Sequence, residues 1–209
     1  MGLGMGDYRT ALGYYQQLPE GWASFPNCVA NASLLAAQRA RGGIDGLVDD
    51  APPPLRKLAE YMTPTARWIP EVVHVAVVLA LRDSRFGPGP EEDEAFLGWL
   101  AKVNREILDA PGIAASVAAI GPTAVLPYLP VLWNEFHVGC TLSVEHAEDT
   151  RALLVVDHPT AIFHRLSIET HRRTLAVALA KAGAAQLEID VRTIANGALA
   201  RTELDCRWR

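Results

Sequence analysis

The chain lacks a membrane-length apolar run, an excess of basic residues and a closely spaced cysteine pair. Each absence removes a class of function. The most hydrophobic stretch, Val72 to Leu81, is interrupted by His74 and is too short to span a bilayer, so it reads as a buried helix. Lys and Arg number 19 against 24 Asp and Glu, a formal net charge of -5, which argues against a nucleic-acid footprint. Arg165, Arg172 and Arg173 are the nearest thing to a basic patch and read as a solvated helix face. The three cysteines, Cys28, Cys140 and Cys206, are an odd number with no close pairing, as suits a reducing cytosol. The start, Met1 to Gly6, has no basic region and no apolar core, so a secretory signal is not expected. Its glycines neither follow a strand nor open a helix, so they do not make a dinucleotide loop. Gly-x-Ser-x-Gly and Gly-x-x-x-x-Gly-Lys-Ser/Thr are both missing. The expectation is a cytoplasmic protein with no transmembrane segment and no nucleic-acid partner.

Apolar residues are plentiful: half of the 209 are hydrophobic, enough for a sizeable buried core. An aromatic segment, 1–26, holds Tyr8, Tyr14, Tyr15, Trp22 and Phe25, with room for a short helix at Tyr8–Gln17. A helical subdomain, 27–134, follows. Its expected helices are Asn27–Arg41 (capped by Asn27, stopped by Gly42-Gly43), Leu55–Met62 after three prolines, and the all-apolar Glu71–Arg82. An acidic start at Glu91 opens another helix to Asp109, with Phe96, Leu100, Val103 and Ile107 at helical spacing. Ile113–Ile120 and Ala124–Asn134 complete the helical part. The composition shifts toward strands at about residue 135. There 135–209 reads as strand, strand, helix from Pro159 to Ala182, strand, strand. Phe136, Val138, Cys140, Leu142 and Val144 alternate with polar residues, and so do Thr202, Leu204, Cys206 and Trp208. The fold class expected is α+β: an N-terminal helical layer packed on an antiparallel ββαββ unit, the whole forming one integrated domain.

Residues able to carry chemistry are few. On the C-terminal helix, His164 and His171 are seven residues apart, about 10 Å along the axis, so one metal ion cannot take both. Both flank the face that carries Ile168 and Leu175. Asp157-His158-Pro159 reads as a helix cap, and His137 as solvent-facing on the polar side of the first strand. Cys140 and Cys206 read as small core hydrophobes. Cys28, beside the expected N-cap, is the thiol with most reason to be reactive. Glu91/Glu92 and Glu148/Asp149 are turn and capping residues. No catalytic residue and no metal site is assigned.

Several segments carry a resemblance. Trp68-Ile-Pro-Glu-Val precedes the apolar helix and Arg82-Asp83-Ser-Arg-Phe86 follows it. Phe96-Leu-Gly-Trp99, Gly121-Pro122, Leu132-Trp133-Asn134, Ala182-Gly183-Ala184 and Arg207-Trp208 continue the series. Over residues 55–209 the chain resembles the ligand-binding fold of nitric-oxide signalling and Golgi transport. That group includes haem nitric-oxide-binding domains, 4-vinyl-reductase domains and transport-particle core subunits. Within it, the chain looks most like a myxobacterial paralogous family of unknown function. The resemblance implies a cavity between helical layer and sheet, an apolar ligand or none, and often a dimer. The haem-binding branch's Tyr-x-Ser-x-Arg motif is absent here, which speaks against haem.

The leading expectation is a small-molecule-binding or signalling module with an apolar pocket lined by His164, Ile168, His171, Leu175, Cys140 and Trp133. The second is an interaction protein that dimerises through the apolar helix Glu71–Arg82. The third is an enzyme using Cys28 or a histidine.

Overall fold

The computed structural model describes residues 7–41, 43–62, 65–87, 89–110 and 121–209. The expected helix Ile113–Ile120, the Met1–Gly6 start, Gly42 and Thr63-Pro64 lie outside the described residues. The chain divides into two compact units, each considered in turn. The first comprises Met1–Leu100 with Ala161–Leu166, and the second Ala101–Thr160 with Ser167–Arg209.

The first unit holds α1 (Arg9–Gln17), α2 (Ser33–Ala40), α3 (Pro53–Arg56) and α4 (Glu71–Arg85), with α4 against a short antiparallel ladder. The ladder joins β1 (Val29–Asn31) to β2 (Trp68–Pro70). The helix expected from Asn27 therefore begins only at Ser33, because Val29–Asn31 is taken up by strand pairing. Val29 and Ala30 suit that exchange, and the Asn31 side chain instead accepts the Ser33 N–H at 3.0 Å. The segment 55–62 divides as well, with α3 giving way to a 3-10 stretch, Lys57–Tyr61.

Helix α4 is the unit's centre, as its unbroken apolar character predicts. Val72 through Leu81 are at most 5% exposed at every apolar position. The apolar side chains of Glu71–Arg82, on which dimerisation was expected, are thus all buried within the chain. The helix that follows, α5 (Asp93–Leu108), starts in the first unit and ends in the second. Phe96, Leu100 and Val103 are buried along it.

The second unit holds a four-stranded antiparallel sheet. Its strands are β4 (Thr141–Glu148), β5 (Arg151–Pro159), β6 (Glu188–Asn196) and β7 (Leu199–Arg207), in the order β4-β5-β7-β6. Strand β7 behaves as its pattern demands: Ala200, Thr202, Leu204, Cys206 and then Trp208 are all buried. Helix α6 (Leu129–Phe136) leads through a two-residue strand, β3 (His137–Val138), into β4. Helix α7 (Arg165–Lys181) connects β5 to β6. It closes as Ala182-Gly183-Ala184 suggests. Gly183, at φ 98°, lets its own N–H reach the Ala180 carbonyl (3.0 Å) and the Ala184 N–H reach that of Leu179 (3.0 Å).

Two expectations fail here for local reasons. The alternation read from Phe136 to Val144 is not one strand. Gly139, at φ 83°, breaks it and resets the phase, so His137 is buried and Val138 is 44% exposed. Asp157-His158-Pro159 is not a helix cap either. All three pair with β7, opposite Arg201, Ala200 and Leu199, and α7 begins six residues later than expected. Pro159 is tolerated because it stands at the end of its strand, where no further ladder donor is needed. Among the described residues, no helix is long and apolar enough to cross a membrane.

Candidate functional site

Trp133 sits near the end of α6 with 7% of its surface exposed. A buried indole needs a partner for its N–H. It finds one in the Cys140 carbonyl at 2.7 Å, which ties α6 to the turn leading into β4. The break at Gly139 then brings the His137 ring over the indole, 4.4 Å between centroids and 30° from parallel. From α7, the half-buried His171 meets both rings edge-on, at 5.0 Å from Trp133 and 5.4 Å from His137. Two imidazoles and one indole thus form a compact cluster inside the second unit. Such a group offers an aromatic surface together with ring nitrogens that donate or accept according to tautomer.

The residues singled out from the sequence divide accordingly. Trp133, His171 and Cys140 come together, Cys140 through its main-chain carbonyl. Ile168 (half-buried) and Leu175 (buried) lie on α7 to either side of His171. His164 belongs to the first unit. There its Nδ1 accepts the Leu166 N–H at 3.3 Å, capping the first turn of α7. Burial pushes its pKa down to about 4, the neighbouring Arg165 cation adds to the fall, and Asp93 and Asp83 oppose it. The ring is therefore neutral near pH 7 and protonated on Nε2.

His137 is the member of the cluster that sequence reasoning missed. Strict alternation across Gly139 placed it in solvent. A glycine within a strand pattern signals a bulge or break, and that was the available warning.

The first unit holds a buried cluster of a different kind. Arg82, 1% exposed, engages all five of its N–H donors. Nε and Nη2 reach Asp93 Oδ1 at 3.0 and 2.5 Å, and Nη1 reaches Asp83 Oδ1 at 2.9 Å and Thr10 Oγ1 at 3.2 Å. The fifth donor goes to the Gly89 carbonyl. Asp83 Oδ2 accepts the N–H groups of Thr10 (2.7 Å) and Ala11 (3.0 Å), capping α1 from another helix. Arg165 adds a 2.5 Å contact to Asp93 Oδ2. Burial would raise the Asp93 pKa, but the guanidinium groups of Arg165 and Arg82 outweigh it and hold the carboxyl below its usual range.

Burial, then the nearby Asp205 charge, raises Cys206 to about 12. Cys28 is 5% exposed and leads into strand β1, and its carbonyl accepts the Glu71 N–H at the start of α4 at 2.9 Å. Among the described residues, no group of three or more His, Cys, Asp or Glu is arranged to hold a metal ion.

No family model matches the sequence, and no curated protein matches it. Solved structures do match the fold. One is an H-NOX structure described as giving insight into the mechanism of H-NOX activation: TM-score 0.58 and 4% identity, covering 86% of this chain and 96% of that one. A mutant H-NOX of T. Tengcongensis aligns at TM-score 0.56 and 6% identity, over 85% and 94% of the two chains. An oxygen-binding H-NOX domain related to soluble guanylate cyclases aligns at 0.52 and 9%, over 85% and 90%. The chain has the α+β fold of H-NOX domains.

Whether these residues fit haem is a question of donor chemistry. A ligating imidazole presents one nitrogen to the metal and donates the other N–H to a carbonyl or carboxylate. His164 does the reverse, accepting at Nδ1. His158 has both nitrogens engaged, by the Pro159 carbonyl at 2.9 Å and the Thr202 hydroxyl at 3.0 Å. His74 is the one of the three that shows this arrangement, its Nδ1 facing Glu71 Oε1 at 3.4 Å. Propionates require cations not already matched, and Arg82, Arg165, Arg172 and Arg173 each hold a carboxylate. His164 and His158 do not fit a haem ligand, and these four arginines are already matched by carboxylates.

Proposed function

We propose that this protein is a small-molecule-binding sensor or signalling module, built on the haem nitric-oxide-binding fold and taking an apolar or aromatic ligand other than haem. The observation that carries the reading is the H-NOX fold itself, matched over 85–86% of the chain with TM-scores up to 0.58. The ligand-contacting set proposed is His171, Trp133, Ile168, Leu175 and the Cys140 carbonyl, with His137 added and His164 at a separate position. A flat ligand suits this set because indole and imidazole rings offer faces and edges for stacking, and ring nitrogens supply orientation. The myxobacterial kinship belongs to the same proposal and rests on the motifs running from Trp68 to Trp208. The cytoplasmic setting is proposed from the charge balance and the odd cysteine count.

The test is an absorbance spectrum and native mass of freshly purified protein, followed by Trp fluorescence against an aromatic metabolite and lipid panel. The expected result is no Soret band and a ligand that quenches Trp fluorescence, with the His171→Ala variant losing at least about tenfold in affinity. A Soret band abolished by His74→Ala would overturn the exclusion of haem. Affinity unchanged in both His171→Ala and His137→Ala would overturn the site.

A further inference from the structure

Strand β6 differs from every other strand of its sheet. It lies at the edge, paired only with β7 among the described residues, and eight of its nine residues are exposed. Its register runs unbroken from Glu188 to Asn196. The opposite edge strand, β4, is interrupted between Val144 and His146, the kind of irregularity that discourages edge pairing. Strand β6 has no such defect, and no proline, glycine or lysine to guard it.

The faces of β6 follow from its partners. Ile189, Val191, Thr193 and Ala195 stand opposite Cys206, Leu204, Thr202 and Ala200, the buried row of β7. The apolar face of the sheet therefore continues onto β6, where Val191 is 37% exposed. The other face carries Asp190 and Arg192. Asp190 has a loose 3.4 Å contact to Arg207, and Arg192 has no ion pair among the described residues.

Main-chain groups are also available. Gly197 (φ 63°) and Ala198 form the two-residue loop from β6 to β7. Such a loop closes on a hydrogen-bonded pair, here Asn196 with Leu199. Counting back, Ile194, Arg192 and Asp190 aim their N–H and C=O groups at β7. Those of Thr193, Val191 and Ile189 point away from the sheet.

We propose that β6 is a self-association surface, on which the β6 strand of a second copy pairs antiparallel about a two-fold axis at Val191. Directly opposite residues in such a pair share a face, so the charges choose the register. Centring on Arg192 sets arginine against arginine, and centring on Asp190 sets aspartate against aspartate. Centring on Thr193 sets Arg192 against Ile194 and Asp190 against Asn196. Centring on Val191 places Asp190 of each copy opposite Arg192 of the other, twice over. It also joins Ile189, Val191 and Thr193 of both copies into one apolar patch, with their outward main-chain groups hydrogen-bonded across the axis. The interface is isologous, as closed dimers require.

The test is sedimentation velocity of the full chain across the micromolar range, with circular dichroism confirming that each variant is folded. The wild-type chain is expected to dimerise. Asp190→Arg and Arg192→Asp, each placing like charges opposite, are expected to weaken association by about tenfold or more. The double variant D190R/R192D regains the wild-type constant, because the swapped charges are again complementary. The two single variants, mixed, form a heterodimer. Val191→Pro keeps the β7 ladder, since its N–H faces outward, and is monomeric. A wild-type chain monomeric throughout the range, a dimer indifferent to both charge reversals, or single variants that do not associate when mixed would each overturn the proposal.

Discussion

The two units each bury a polar cluster, and the clusters are built on opposite principles. In the first unit, Arg82, Asp83, Asp93 and Arg165 are full charges with their hydrogen-bonding capacity taken up by one another, by Thr10, Ala11 and the Gly89 carbonyl. In the second, Trp133, His137 and His171 are rings that pack face and edge on one another, the indole also donating to the Cys140 carbonyl. A saturated charge network specifies one arrangement of helices and tolerates no vacancy. A ring cluster sets polar ring nitrogens at the edges of an aromatic group, the kind of surface that recognition uses. The first therefore reads as architecture and the second as the place to look for function.

Breaking the first cluster has the largest expected effect. Arg82→Leu strands two carboxylates without their cation and is expected to cost about 3–5 kcal/mol in urea unfolding. Adding Asp83→Asn and Asp93→Asn to that variant removes the unpaired charge and should recover part of the loss. Full stability in Arg82→Leu alone would show that the network is not structural.

The pH dependence comes next. His164 has a folded-state pKa of about 4 against an ordinary value of 6.5, lowered chiefly by burial. Its stabilisation is thus complete above about pH 6.5 and is lost as the pH falls toward 4, since the unfolded chain binds the proton first. Asp93, with its pKa also lowered, acts in the same direction at more acid pH. The expected loss between neutral pH and pH 4 is on the order of 2 kcal/mol, reduced for partial exposure. His164→Asn, which keeps a capping acceptor without a titrating ring, should flatten the upper part of that fall when unfolding is measured at several pH values.

The ring cluster should be softer. Trp133→Phe keeps an aromatic ring but loses the hydrogen bond to the Cys140 carbonyl and part of the buried ring volume, an expected change of about 1–2 kcal/mol in urea unfolding. The smallest effect belongs to Val138→Thr. At 44% exposure it should alter stability by less than about 0.5 kcal/mol, whereas a valine on the packed face of a continuous strand would cost more. A large loss in thermal unfolding would restore the uninterrupted alternation from Phe136.

Legibility tracked the range of the interaction. Helix α4 was readable because every residue from Val72 to Leu81 had the same environment, and β7 because two-residue alternation from Thr202 to Trp208 carries its own burial pattern. The end of α7 was readable because Gly183 supplies a backbone conformation that other residues adopt only with strain. The site was readable only in part. Of the residues read as lining a pocket, Trp133, His171 and Cys140 lie together in the second unit and His164 belongs to the first, while His137, read as solvent-facing, is buried. The misplacing of His137 and of the start of α7 came from extending a regular pattern past a point where the backbone departs from it, at Gly139 and at Pro159.

By itself, then, the sequence determined the elements and their apolar faces, since periodicity is written in successive side chains and needs no distant partner. Tertiary structure alone decided that Asn27–Asn31 would give up its helix for a strand beside Trp68–Pro70, and that β5 would run on through Pro159. It also decided that β6 would stand at the open edge. Those outcomes depend on which distant segment supplies the hydrogen bonds, and pairing between remote strands leaves no trace in the local pattern of either one.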